Sequence, residues 1–260
     1  METLIELGAD PGATNAAGET TIQLAFRHSW FDLVPKLASA GADPDARGPA
    51  GLTLLEQAVD EADWPRIDLL LKIGANPNHS SLPGKSPTPF ERVFASGNMA
   101  LLEALLTRST KPPGATLDSW LWQTYQNGDH QTARLLLNHG ADASRRNPEG
   151  LLMVEAAAIA RRGSFVKLLL DYGNPAGSAL PLSCAAGDVD MVSLLLACGV
   201  DPNLTLVPSR DTPLGIAIRG KHDLLASTLV HGGAAADLVL PEGQTAFHLA
   251  IATGCHRTMK

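Results

Sequence analysis

Three glutamates, Glu56, Glu91 and Glu155, together with His248, are the side chains of this sequence best suited by type to move protons. General acid–base work needs two such groups close to one substrate and held at different pKa values. Metal binding is a weaker prospect. His130 and His139 are nine residues apart, whereas a helical zinc pair needs roughly three to five. Three cysteines, Cys184, Cys198 and Cys255, show no Cys-x-x-Cys spacing, and an odd count leaves one unpaired. That usage fits a reducing, intracellular compartment, cytoplasmic or nuclear. No glycine-rich phosphate loop, Gly-x-Ser-x-Gly elbow or His-Glu-x-x-His helix occurs. No residue is assigned to catalysis, no cofactor or metal is expected, and whether the chain is an enzyme stays open. The densest chemistry is aromatic: SWLWQTYQNGDH, from Ser119, holds two of the four tryptophans and one of the two tyrosines.

What positions these groups is a repeat. Short phrases recur as LIELGADP, KLASAGADPD, LLKIGANPN, LLNHGADAS and LLLACGVDPN, and the step from Gly8 to Gly41, and from Gly41 to Gly74, is 33 residues. Gly140 lies 66 beyond Gly74, with Ser109 of EALLTRST in the intervening slot, and Gly173 lies 33 further on. A second phrase precedes these glycines, reading TTIQLA, TLLEQA, TPFERV, TPLGIA and TAFHLA. Between phrase and glycine stand two apolar-periodic stretches joined by a short turn such as ASGN, QNGD or AAGD. Each unit therefore predicts a helix, a tight turn, a second helix and a left-handed glycine stop.

With these motifs in register, the chain resembles the ankyrin-repeat family, whose units open on Thr-Pro-Leu-His-x-Ala and close on Gly-Ala-Asp. The resemblance implies an all-α solenoid with projecting β-hairpin-like loops, built because one helix pair cannot bury its apolar face alone. Seven helix-pair units are expected over 20–41, 53–74, 88–109, 119–140, 152–173, 178–199 and 212–233, in a single array covering 1–260. Partial repeats are expected at 1–10 and 245–260. Neither end reads as a polar cap, so either a piece of a longer array or a chain with helical half-repeats at its ends is expected. The opening SALPLSCAAGD is similar to one common in fungal arrays. Gly173 to Gly199 is only 26 residues, which predicts a clipped loop, and the proline-rich HSSLPGKSPTPF and RSTKPPGATLDS predict irregular ones.

The resemblance also implies where a partner binds: the concave face and the loop tips. In the first-helix positions before the turn stand Arg27, His28, Asp60, Glu61, Gln126, Asn127 and Arg219, and at the loop tips Arg47, His79, Arg145, Arg146 and Arg210. In the family's histidine slot, Glu56, Glu91, Glu155 and His248 become structural tethers between loops. A catalytic ladder is disfavoured, because equivalent residues of stacked units lie roughly 10 Å apart per unit. Trp120 and Trp122 take the proline and histidine slots and open toward the irregular loops. There they either fill space or serve as exposed anchors. Leu121, Thr124 and Tyr125 are expected to pack inward.

Composition restricts the partner. Net charge is −7, which argues against a nucleic-acid backbone. No apolar run approaches a membrane span, and the acidic start is no signal peptide. The expected function is a non-enzymatic, monomeric scaffold that binds another protein. Two alternatives stay open: a small-molecule or catalytic pocket within residues 79–130, and a spacer or regulatory segment of a larger protein.

Overall fold

Threonines placed one per repeat start most of the odd-numbered helices. The computed structural model describes residues 7–82, 84, 86–205, 211–240 and 243–254. Among them are fifteen helices: α1 Thr21–Arg27, α2 Val34–Ser39, α3 Leu54–Asp60, α4 Trp64–Lys72, α5 Pro89–Ser96, α6 Met99–Arg108, α7 Gly114–Asn127 and α8 His130–Asn138. The series continues with α9 Met153–Ile159, α10 Gly163–Asp171, α11 Ala179–Ala185, α12 Val189–Ala197, α13 Pro213–Arg219, α14 Asp223–His231 and α15 Ala246–Thr253. Thr20, Thr53, Thr88, Thr212 and Thr245 are extended N-caps, each accepting the backbone N–H three residues on. At Gln23, Glu56 and Glu91 the side chain returns to the threonine N–H, completing a capping box. Asp63, Asn98, Asp129 and Asp188 cap the even-numbered helices α4, α6, α8 and α12 in the same way.

Between the helices of a pair the chain reverses through a left-handed residue. Gly97, Gly128 and Gly187 fill that position in three pairs, whereas Ser29, Ala62, Arg161 and Lys221 fill it in four others with φ between 52° and 60°. A Cβ in that region costs about 1–2 kcal/mol. Ala62 is exposed. Ala62→Gly is therefore expected to raise stability by about 1 kcal/mol, read as a higher urea midpoint.

The chain divides into two compact units, residues 1–113 and 114–260. In the first, α1–α2, α3–α4 and α5–α6 form pairs and α3 lies against α5. Its core holds Ile22, Leu55, Ile67, Leu70, Phe90 and Leu105. In the second, α9, α11, α13 and α15 stack in order on one side, and α8, α10, α12 and α14 stack on the other. Its core includes Leu121, Leu136, Met153, Phe165 and Leu169. The loops before α1, α3 and α15 each close through one isolated antiparallel bridge, Thr14 to Thr20, Arg47 to Thr53 and Val239 to Thr245. No longer ladder occurs among the described residues.

Two stretches depart from the 33-residue pattern. Helix α7 starts at Gly114, not Ser119, because the apolar period of Leu117, Trp120 and Leu121 extends the helix back to the residue after Pro113. Residues 114–119 of the proline-rich segment thus join a 14-residue helix, and Pro112 and Pro113 stay in the short link before it. The clipped connection between α10 and α11 is held by Glu155. Its Oε1 accepts the Ser178 N–H at 2.7 Å, and its Oε2 accepts that of Leu152 at 2.8 Å. One buried carboxylate therefore terminates α9 and α11 together. Gly177 makes the approach feasible: its φ is +54°, and a Cβ there would stand 2.4 Å from Glu155 Oε1.

Candidate functional site

The tether positions show what the repeat fixes before any ligand is considered. Glu56 is fully buried. It accepts from Thr53 N at 2.8 Å, and from Ser81 N and Oγ at 3.2 and 3.1 Å. It thus joins its own helix to the next loop, as Glu155 does. Glu91 and His248 are exposed, and among the described residues they reach only the threonine caps of their own helices. In α13 the slot is empty: a Cβ on Gly215 would come 2.8 Å from Leu240, whose buried side chain fills it. At α7 the tether moves to Asp118, one turn earlier than Trp122. Asp118 Oδ1 accepts from Asp142 N at 2.7 Å, and its Oδ2 pairs with Arg145 Nε at 3.1 Å. No cluster of three metal-ligating side chains occurs among the described residues.

The remaining first-helix and loop candidates separate. Arg27 pairs with Glu19 at 2.6 Å, Asp60 with Arg92 at 2.8 Å, Glu61 with Arg66 at 2.8 Å and Arg219 with Asp211 at 2.7 Å. His28 stacks on the exposed Trp30 at 4.9 Å. His79 lines a small hollow with Ser86 and Glu91, and its Nδ1 is buried without a partner among the described residues. Arg47 is exposed beside its bridge to Thr53. Asn127 is exposed at the end of α7. Arg210 lies outside the described residues, as does Cys255.

Four candidates come together in the second unit. Trp122, Gln126, Arg145 and Arg146 line one open groove of about 660 Å³, with Asp118, Tyr125, Glu149, Leu151 and Ile159. The groove has a structural cause. Helices α9, α11, α13 and α15 pack closely in sequence, but α7 and α9 approach less closely, and the space between them is this groove. Its roof is the 145–151 loop, pinned by Asn147. The Asn147 backbone N–H donates to Leu151 O at 2.9 Å, and its Oδ1 accepts from Leu151 N at 2.8 Å. The two tryptophans part here. Trp120 is only 5% exposed and belongs to the core, whereas Trp122 is half-buried with its indole on the groove.

Tyr125 closes the floor. Its ring lies edge-on to Trp122 at 5.7 Å and to Phe165 at 5.4 Å, with the Arg162 guanidinium 4.7 Å from its centroid. Burial pushes the Tyr125 phenol up, against a smaller opposing pull from Arg162. The Asp142 carboxyl, at the base of the loop, is held low by hydrogen bonds from Ser144. Most of the other lining residues lay outside the candidates named from sequence, Ile159 and Asp118 among them. Ile159 is 56% exposed in the position seven after the helix-start slot, where other units carry Arg27, Asp60, Gln126 and Arg219. A large apolar residue in a register that otherwise holds polar residues or alanine was the available signal. Asp118 was hidden by the later start assigned to its helix.

Residues 180–260 match the family model for ankyrin repeats, in three copies. This segment carries ankyrin repeats. No curated protein matches it. The matched ankyrin segment runs from α11 to the end of the chain, and the groove lies upstream of it. Ankyrin repeats generally serve as protein–protein interaction modules. No helix among the described residues is long and apolar enough to cross a membrane.

Cys184 and Cys198 do not line the groove. Burial pushes the Cys184 thiol up to about 12, and burial followed by the nearby Asp171 raises Cys198, with Lys167 opposing. Only the thiolate is nucleophilic. Cys184 is therefore expected to remain unmodified by iodoacetamide at neutral pH in the native chain and to react fully in urea, as read by peptide mass spectrometry.

Proposed function

We propose that this chain is a non-enzymatic protein-recognition module, with the ankyrin pattern extending upstream through the helix pairs of both units. In the second unit its contact surface is the groove between α7, the 145–151 loop and α9. One observation carries this reading: Trp122 and Ile159 present apolar surface to an open groove whose one buried carboxylate, Asp118, is already satisfied. Acids that hold backbone N–H groups are poor proton donors to a substrate, and they make a rigid frame instead. A rigid, preformed surface lowers the ordering cost of binding, and a few aromatic and arginine anchors supply most of the affinity. The volume also falls in the range of small-molecule pockets, but those bury most of their ligand. This groove is open along its length, which favours a macromolecular partner.

The test uses the intact chain as bait in extract from its own host. Proteins retained by the native chain and lost to Ile159→Asp, which fills the open groove with charge while leaving the core untouched, are those expected to bind here. Retention of every captured protein by Ile159→Asp would refute the assignment of this surface.

A further inference from the structure

The groove's rim and floor differ in chemistry, and the difference specifies an occupant. Tyr125 is enclosed by Arg162 and Phe165, so the apolar surface left open is that of Trp122 and Ile159, enough for one large side chain. Above it, Arg145 and Arg146 sit side by side, with 64% and 58% of their side chains exposed. Each is anchored along one edge. Arg145 Nε meets Asp118, while Arg146 Nη1 donates to Gly150 O at 2.6 Å and reaches Glu155 at 3.3 Å.

Those two carboxylates also hold the Asp142, Leu152 and Ser178 N–H groups, so their capacity is largely used. A guanidinium carries five N–H bonds. Both Nη atoms of Arg145, and Nε and Nη2 of Arg146, have no partner among the described residues. Anchored, planar donors of this kind suit a carboxylate and lose little freedom on binding it. The surrounding field permits this. Residues 114–260 carry 11 basic and 13 acidic residues, against 9 and 14 in 1–113, so most of the net negative charge lies outside the second unit. Charges more than about 8–10 Å away are screened at physiological salt.

We infer that the α7–α9 groove binds a linear peptide segment of a partner protein in which one large apolar side chain stands within two residues of an aspartate or glutamate. The apolar side chain covers Trp122 and Ile159, and the carboxylate takes the free N–H edges of Arg145 and Arg146. This rests on the recognition role proposed above and specifies its ligand. Glu149 on the same loop lines the groove and carries no partner among the described residues, and its charge disfavours a dianionic phosphate relative to a single carboxylate.

The experiment is selection of a displayed random peptide library on the intact 260-residue chain, followed by affinity measurement on one synthetic winner. The selected pool is expected to pair an aromatic or branched aliphatic residue with an acid one or two positions away. Changing that acid to its amide is expected to weaken binding by about tenfold, the size of one charge-assisted contact. This peptide-side change leaves the protein untouched, so it holds even if Arg145→Gln/Arg146→Gln disturbs the loop. Enrichment of lysine or arginine, preference for a phosphorylated version of the winner, or no enriched sequence would each overturn the inference. A pool that keeps the apolar residue but ignores the acid, and is lost on Trp122→Ala, removes the carboxylate and leaves the recognition surface standing. A pool indifferent to Trp122→Ala removes both.

Discussion

Glu155→Ala is expected to lower the unfolding free energy by about 3 kcal/mol, from two stranded buried N–H groups at roughly 1–3 kcal/mol each, less what water entering the gap recovers. Glu155 is 2% exposed and joins the start of α9 to the start of α11. Its removal also leaves Arg146 with only the Gly150 carbonyl as an acceptor among the described residues. Hydrogen exchange should show the loss in the amides of α9 and α11 first. Glu155→Gln is expected to fall in between, because an amide keeps one acceptor and turns the other end toward a donor. Glu91→Ala provides the contrast. Glu91 occupies the same register but is exposed and holds only the Thr88 N–H at 2.7 Å, so a loss within about 1 kcal/mol is expected. Equal losses at the two sites would contradict the tether account.

The second large effect is on binding. Trp122→Ala is expected to weaken the captured partner by about 100-fold, or roughly 2–3 kcal/mol, the scale of a central aromatic anchor. Titration of the purified partner by isothermal calorimetry measures it. Trp120→Ala separates recognition from folding. Trp120 is buried in the core, so its truncation should cost about 3–5 kcal/mol of stability. Whatever remains folded should bind with nearly native affinity. If Trp120→Ala weakens binding as much as Trp122→Ala in fully folded protein, the indole of Trp122 is not the anchor.

Much of this was legible in the residues, for identifiable reasons. Threonine three residues before glutamine or glutamate is a local cap, and each of Thr20, Thr53 and Thr88 closes one as its sequence predicts. Trp122, Gln126, Arg145 and Arg146 were marked by register alone, and the structure gathers them at one groove. The start of α7 was not legible. Pro112 and Pro113 read as a loop and lie in one, but the apolar spacing of Leu117, Trp120 and Leu121 starts the helix directly after them, at Gly114, without a threonine cap. That shift moved the tether to Asp118, which the repeat register does not mark. The role of Glu155 at two helix starts was partly visible in the short step from Gly173 to Gly199. The direction in which the clipped loop folds depends on Gly177, whose close approach to Glu155 is a tertiary contact. Ile159 was missed because an isoleucine in an alanine-rich helix reads as core unless its register is compared with polar residues in other units.

The most direct test of the central claim is hydrogen–deuterium exchange of the chain with and without its captured partner. Protection is expected at residues 117–126, 145–151 and 155–160 together, the three segments that build the groove. Protection confined to the even-numbered helices, or to residues 7–82, would show that the partner binds elsewhere.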